Sequence, residues 1–152
     1  MLKNRKNDLL YLLNIIEYIE KINLYSNNFE NPEILYETND QMNYNAILSL
    51  LTQIGENSTK LSDDTKKEYS YPWKDVVGLR NRIAHDYTGI NIFVVFQTIK
   101  YSLPGLKEKA YQIIQEGILE NIFDKSELLS AKESNYYTHI DFNKLNLVGS
   151  RI

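Results

Sequence analysis

Apolar residues return every three or four positions along most of the first 116 residues, and this periodicity constrains the fold more than any other feature of the chain. Leu9, Leu12, Ile16 and Ile19 fall on one stripe, widened by Leu13 and Ile22, which predicts an amphipathic helix from about residue 5 to residue 25. The stretch "SNNFENPE" reads as the loop that ends it. A second helix is expected from about Asp40 to Leu61, burying Met42, Ile47, Leu50, Leu51 and Ile54, with "SDDTKKEYSYP" as the next loop. Trp73 to about Ala84 forms a third, short helix. Asn91 caps a fourth, whose inner face holds Ile92, Val95, Phe96 and Ile99. The run "INIFVVF" has strand-like composition, but the Asn cap and the 3.6-residue spacing favour helix. Pro104 interrupts this last helix and is suited to the first turn of a new stretch ending near Gln115. The expected fold is all-α, an up-and-down four-helix bundle with a Pro-interrupted last helix. Residues 1–116 form its domain, and residues 117–152 form an extra C-terminal helix or tail packed on or beside it.

With 152 residues, 43% of them hydrophobic, the chain can bury one good core. The formal charge of −3 argues against non-specific binding to nucleic acid or membrane through overall charge. Charge is unevenly spread, however. Residues 71–111 carry Lys74, Arg80, Arg82, Lys100, Lys107 and Lys109 against Asp75, Asp86 and Glu108, so this segment is net +3 and the remainder −6. An anionic partner would be received there. The absence of cysteine excludes disulfide and thiolate chemistry and fits a reducing, cytoplasmic setting. The opening "MLKNRKNDLLYLLNII" has the basic start and apolar run of a signal peptide, but Asp8, Asn14 and Glu17 interrupt it, so it reads as a helix of the mature protein. No run approaches the roughly 20 apolar residues of a membrane span.

The densest polar chemistry lies in "GLRNRIAHDYTGI", Gly78 to Ile90. On a helix ending near Ala84, Asn81, Arg82 and His85 lie on one side at its C-terminal end, where the helix dipole favours a protonated imidazole. That suits His85 to proton transfer near neutral pH. Arg80 lies about 140° round the same helix from His85, so contact between them within one chain is not guaranteed. Each residue also has a plain reading: His85 as a helix cap, the arginines as solvated surface, Tyr87 as packing, Glu56 in "QIGENS" as an exposed helix residue, and His139 in "YYTHIDF" as structural. Taken together, the plain readings leave the local charge and polar density unexplained. No metal is called for, since carboxylate, His and Cys residues do not cluster as a ligand set and Asp86 alone is inadequate.

The run Arg80-Asn81-Arg82-Ile83-Ala84-His85-Asp86-Tyr87 resembles the R-x4-H-x-Y signature of the HepT-like ribonuclease toxins, a branch of the HEPN superfamily. The segments "NDLLYLLNIIEYIEKI", "AILSLLTQIGENSTKLS", "YPWKDVVGLRN" and "YTGINIFVVFQTIKYSLPGLKEKA" resemble, in order, the family's first helix, second helix, approach to the motif and Pro-interrupted last helix. The resemblance covers roughly residues 4 to 116 and implies an HEPN-type bundle. It also implies metal-independent RNA cleavage through the 2′-hydroxyl without a cofactor, with Arg80 and His85 as the active pair and Asn81, Arg82 and Glu56 in support. A homodimer with facing motifs is implied as well. So is a minimal nucleotidyltransferase antitoxin that transfers AMP to Tyr87, the arrangement of a type VII toxin-antitoxin system. The alternative from another class is a non-catalytic module that keeps the fold and uses the basic cleft to hold a nucleotide or a protein.

Overall fold

The computed structural model describes residues 5–86 and 91–145, and of Arg80 and residues 82–86 it describes the backbone. Its principal helices are α1 (Asp8–Ser26), α3 (Met42–Lys60), α5 (Trp73–Asp86) and α7 (Leu103–Leu119), joined by shorter α2 (Pro32–Glu37), α4 (Asp63–Glu68) and α6 (Ile92–Gln97), with α8 (Lys125–Glu133) following. Among the described residues there is no strand, so the all-α expectation holds.

α1 is the centre of the bundle. Leu9, Leu12, Leu13, Ile16, Ile19 and Ile22 are all buried, as their spacing predicts. α3 runs antiparallel along α1: Asn43, near its start, donates to the Tyr25 carbonyl at 2.9 Å, and Asn57, near its end, accepts from Asn14 at 2.9 Å. α7 flanks α1 on another side, and α5 packs along α3. Both ends of the α1–α3 pair are tied. At the far end the buried Asp8 carboxylate accepts from the Ser62 amide at 3.0 Å, the Ser62 hydroxyl at 2.7 Å and the Thr65 hydroxyl at 2.6 Å.

The structure departs from the sequence expectation in several places. α4 occupies a stretch that reads as a loop and α2 starts at the end of another, and each is a capped single turn or two: Asn31 accepts from the Glu33 and Ile34 amides ahead of Pro32 in the first turn, and Ser62 accepts from the Thr65 amide. Met42, expected inside, is 69% exposed. Asn39, Asp40 and Gln41 all have positive φ, so α3 starts only at Met42, which sits in its first turn outside the core. Pro104 stands where expected, in the first turn of a new stretch: α6 ends at Gln97, and a π-helical turn, Thr98–Ser102, leads into α7, whose first turn holds the proline. Finally, α7 continues to Leu119, past the expected end near Gln115.

The chain after α7 contributes to the same core through Phe123, Leu128, Ile140, Phe142 and Leu145. Gly117 makes room for this return. A Cβ there would lie 2.4 Å from Phe123 Cδ2, and the Gly117 carbonyl accepts from the Ile122 and Phe123 amides that turn the chain. Residues 134–145 then cross α1 as a strap, pinned where the wholly buried Glu17 carboxylate accepts from the His139 amide at 2.9 Å and meets its Nδ1 at 2.7 Å. Tyr137 donates to Asn14 at 2.6 Å, and the Tyr136 and Tyr18 hydroxyls pair beside it.

Candidate functional site

α5 carries the motif residues from Arg80 to Asp86, and its N-terminal end is firmly seated. Trp73 is buried and its indole donates to the Tyr69 carbonyl at 3.1 Å, while the Tyr71 ring packs on it at 5.1 Å between centroids. Leu79 is the next buried anchor. The polar run begins at the following residue, Arg80. Arg80, Asn81, Arg82 and His85 all lie on α5, which extends two residues beyond the expected end at Ala84. Arg80 and His85 are therefore about 140° apart around the helix and about 7.5 Å apart along it. Asn81 is exposed. Glu56 is half-buried on α3, the helix against which α5 packs. Tyr87 lies outside the described residues.

His139, the other of the two histidines, is held by Glu17 at the strap, which agrees with its structural reading. The sequence concealed the reason, because the acidic partner lies 122 positions away. Among the described residues no group of three or more His, Cys, Asp or Glu side chains could hold a metal ion.

Beside the α5 anchor is a cleft that residue spacing did not reveal. It encloses about 330 Å³ between α3, α5, the π turn and the start of α7. Ile54, Val76, Leu79, Leu103 and Leu106 form its apolar part, and Tyr71, Asp75, Thr98, Tyr101 and Ser102 bring polar groups to it. Burial raises the pKa of the Tyr71 phenol, keeping it protonated as a hydrogen-bond donor. The one sequence signal was the aromatic-rich approach "YSYPW" followed, some thirty residues on, by the helix irregularity before Pro104.

A family model described as "Ribonuclease HepT-like" matches residues 15–113, which include α3, α5, α6 and the Arg80-to-Tyr87 motif. The chain belongs to the HepT-like ribonuclease family. Methanocaldococcus jannaschii "Putative RNase MJ1216" is 31% identical over 107 residues, covering 70% of this chain and 86% of the relative. Thermococcus cleftensis "Probable ribonuclease HepT" is 30% identical over 100 residues, covering 65% of this chain and 88% of the relative. No solved structure matches the chain significantly. In this HepT-like chain the matched span stops inside α7, before the strap that crosses α1. Among the described residues no helix is long and apolar enough to cross a membrane.

Proposed function

We propose that this HepT-like chain is the toxin of a type VII toxin-antitoxin pair, a cytoplasmic endoribonuclease that works without a metal ion. The observation that carries the reading is the complete R-x4-H-x-Y motif, Arg80 to Tyr87, inside the span matched by the ribonuclease family, with Arg80 and His85 on the terminal turns of α5. In the reaction the substrate's own 2′-hydroxyl attacks the adjacent phosphorus. The O2′–P bond forms, the P–O5′ bond breaks, and the products are a 2′,3′-cyclic phosphate and a free 5′-hydroxyl. His85 moves the proton and Arg80 offsets charge on the phosphoryl oxygens, with Asn81, Arg82 and Glu56 supporting the pair.

Acid and base are both needed, and one chain offers one motif histidine. A homodimer with facing motifs supplies two histidines and two arginines to one cleft. A minimal nucleotidyltransferase antitoxin silences the site by transferring AMP to Tyr87, which brings bulk and negative charge where an RNA phosphate must bind.

Incubating purified protein with RNA tests the reading. Cleavage persists in chelator, leaves cyclic phosphate ends, and falls at least 100-fold in well-folded His85→Ala and Arg80→Ala, following the usual size of acid–base and charge-stabilising effects. With antitoxin and ATP, intact mass rises by AMP increments in wild type and not in Tyr87→Phe. Wild-type protein that binds RNA but never cuts it would favour the non-catalytic module.

A further inference from the structure

The cleft beside α5 has the build of a ligand site that catalysis by Arg80 and His85 leaves unused. Its floor is aliphatic, its rim is aromatic, and its polar groups are uncommitted: among the described residues the Asp75 carboxylate and the Tyr71, Tyr101 and Ser102 hydroxyls have no hydrogen-bond partner. Tyr101 is 79% exposed, so its ring is accessible to a group entering the cleft. It is held there by the π turn, a helix irregularity that recurs at functional sites. At about 330 Å³ the cleft is at the small end of ligand pockets, suited to one planar group.

Position and charge narrow the occupant. Val76 lines the cleft, and Arg80 follows it at i+4, one helical turn nearer the C-terminal end. The cleft and the cleavage motif are thus separated by a distance that a short single strand spans. Lys74 and Lys100 are exposed on its flanks, with the Lys100 ammonium 5.1 Å above the Phe96 ring, so a phosphate backbone would be drawn across its mouth. Single-stranded RNA is read by splaying out a base, stacking it on aromatic rings and hydrogen-bonding its edge.

We infer that the cleft is a nucleobase subsite for the RNA strand, in which Tyr71 and Tyr101 stack a splayed base and Asp75 selects guanine. The carboxylate accepts and does not donate, and guanine alone among the four bases presents two adjacent donors, N1–H and N2–H, to such an acceptor. Adenine and cytosine offer one amino group next to an acceptor nitrogen, and uracil offers one N–H between two carbonyls. Asp75 thereby becomes a specificity residue and the cut falls near guanine. The inference rests on the ribonuclease reading for its RNA strand, but its test does not require cleavage.

Fluorescence anisotropy with labelled single-stranded oligoribonucleotides, guanine-containing and guanine-free, measures it on the full-length His85→Ala protein and on the same protein carrying Tyr101→Ala or Asp75→Asn. The parent should favour the guanine-containing strand by about tenfold. Asp75→Asn removes that preference while retaining binding, and Tyr101→Ala weakens binding to both strands by about tenfold. Equal affinities and an unchanged base order in all three proteins would overturn the subsite. Guanosine monophosphate competing as well as the oligonucleotide would overturn its assignment to an RNA strand. Wild-type protein that cuts RNA with an identical pattern in Asp75→Asn refutes the subsite and spares the nuclease; guanine-selective binding without cleavage does the reverse.

Discussion

Glu17 has no exposed surface, yet it sits in the middle of α1, the helix at the centre of the bundle. A buried carboxylate without partners would be expensive, and here the strap supplies them: the His139 amide at 2.9 Å, His139 Nδ1 at 2.7 Å and the more distant Thr138 hydroxyl at 3.4 Å. Glu17→Ala should therefore lower the free energy of unfolding by about 3 kcal/mol in urea titration, because it strands buried donors as well as losing their bonds. His139→Ala should cost at least as much, since it leaves the wholly buried Glu17 carboxylate with only a backbone amide and the distant Thr138 hydroxyl. A loss under about 1 kcal/mol for Glu17→Ala would mean the strap does not depend on this contact. The neighbouring phenol of Tyr137 is pushed up to about 12 by burial, with Tyr136 and Glu17 adding to the effect. A raised pKa in the folded state means that the neutral phenol favours folding. Its contribution is complete below the ordinary tyrosine value near 10 and is lost as pH rises through about 12. Tyr18 and Tyr69 are raised as well, so ultraviolet titration should show a group of late-ionising tyrosines that is smaller by one in Tyr137→Phe. None of this was legible from residue spacing, because hydrogen bonds across more than a hundred positions leave no local signature.

At the scale of elements, long helices were legible and short ones were not. α1, α3 and α7 each bury a stripe at helical spacing, so their hydrophobic pattern and their structure coincide. α2 and α4 have six residues each, too few for a periodic signal, and are identified by their caps at Asn31 and Ser62. The end of α7 shows a local choice with a distant cause. Gly117 lies just past the expected helix end near Gln115, but the helix continues to Leu119, and the glycine serves to let the Phe123 ring lie against the backbone. Gly117→Ala would place a Cβ 2.4 Å from Phe123 Cδ2 and 2.5 Å from Cε2. Overpacking of this kind should cost about 1–3 kcal/mol in spite of alanine's better helix propensity. Thermal melting of Gly117→Ala against the double variant Gly117→Ala/Phe123→Leu tests this, the smaller side chain recovering part of the loss. Equal melting temperatures for wild type and Gly117→Ala would remove the steric role of the glycine.

At the scale of the whole molecule, apolar surface remains after the core is filled. Leu10 is 52% and Phe93 50% exposed, and Val94 is exposed beside Phe93 on α6. A proposed homodimer would cover such surface and complete the cleavage site from two chains. Sedimentation at micromolar concentration should give a dimer, and Phe93→Asp with Val94→Asp should dissociate it and abolish cleavage together. A monomeric wild type would end the composite site. Across all three scales, the sequence by itself determined the helical class, the order of the long helices, the family and the position of the motif, because amphipathic period and a tightly spaced motif are local properties of the chain. Only the tertiary structure decided that His139 closes over Glu17, that Asn39 to Gln41 leave Met42 outside, that the chain after α7 returns to the core, and that Tyr71, Asp75 and Tyr101 share one cleft. Those outcomes depend on which distant surfaces meet, and burial in a close-packed core is settled by all neighbours at once.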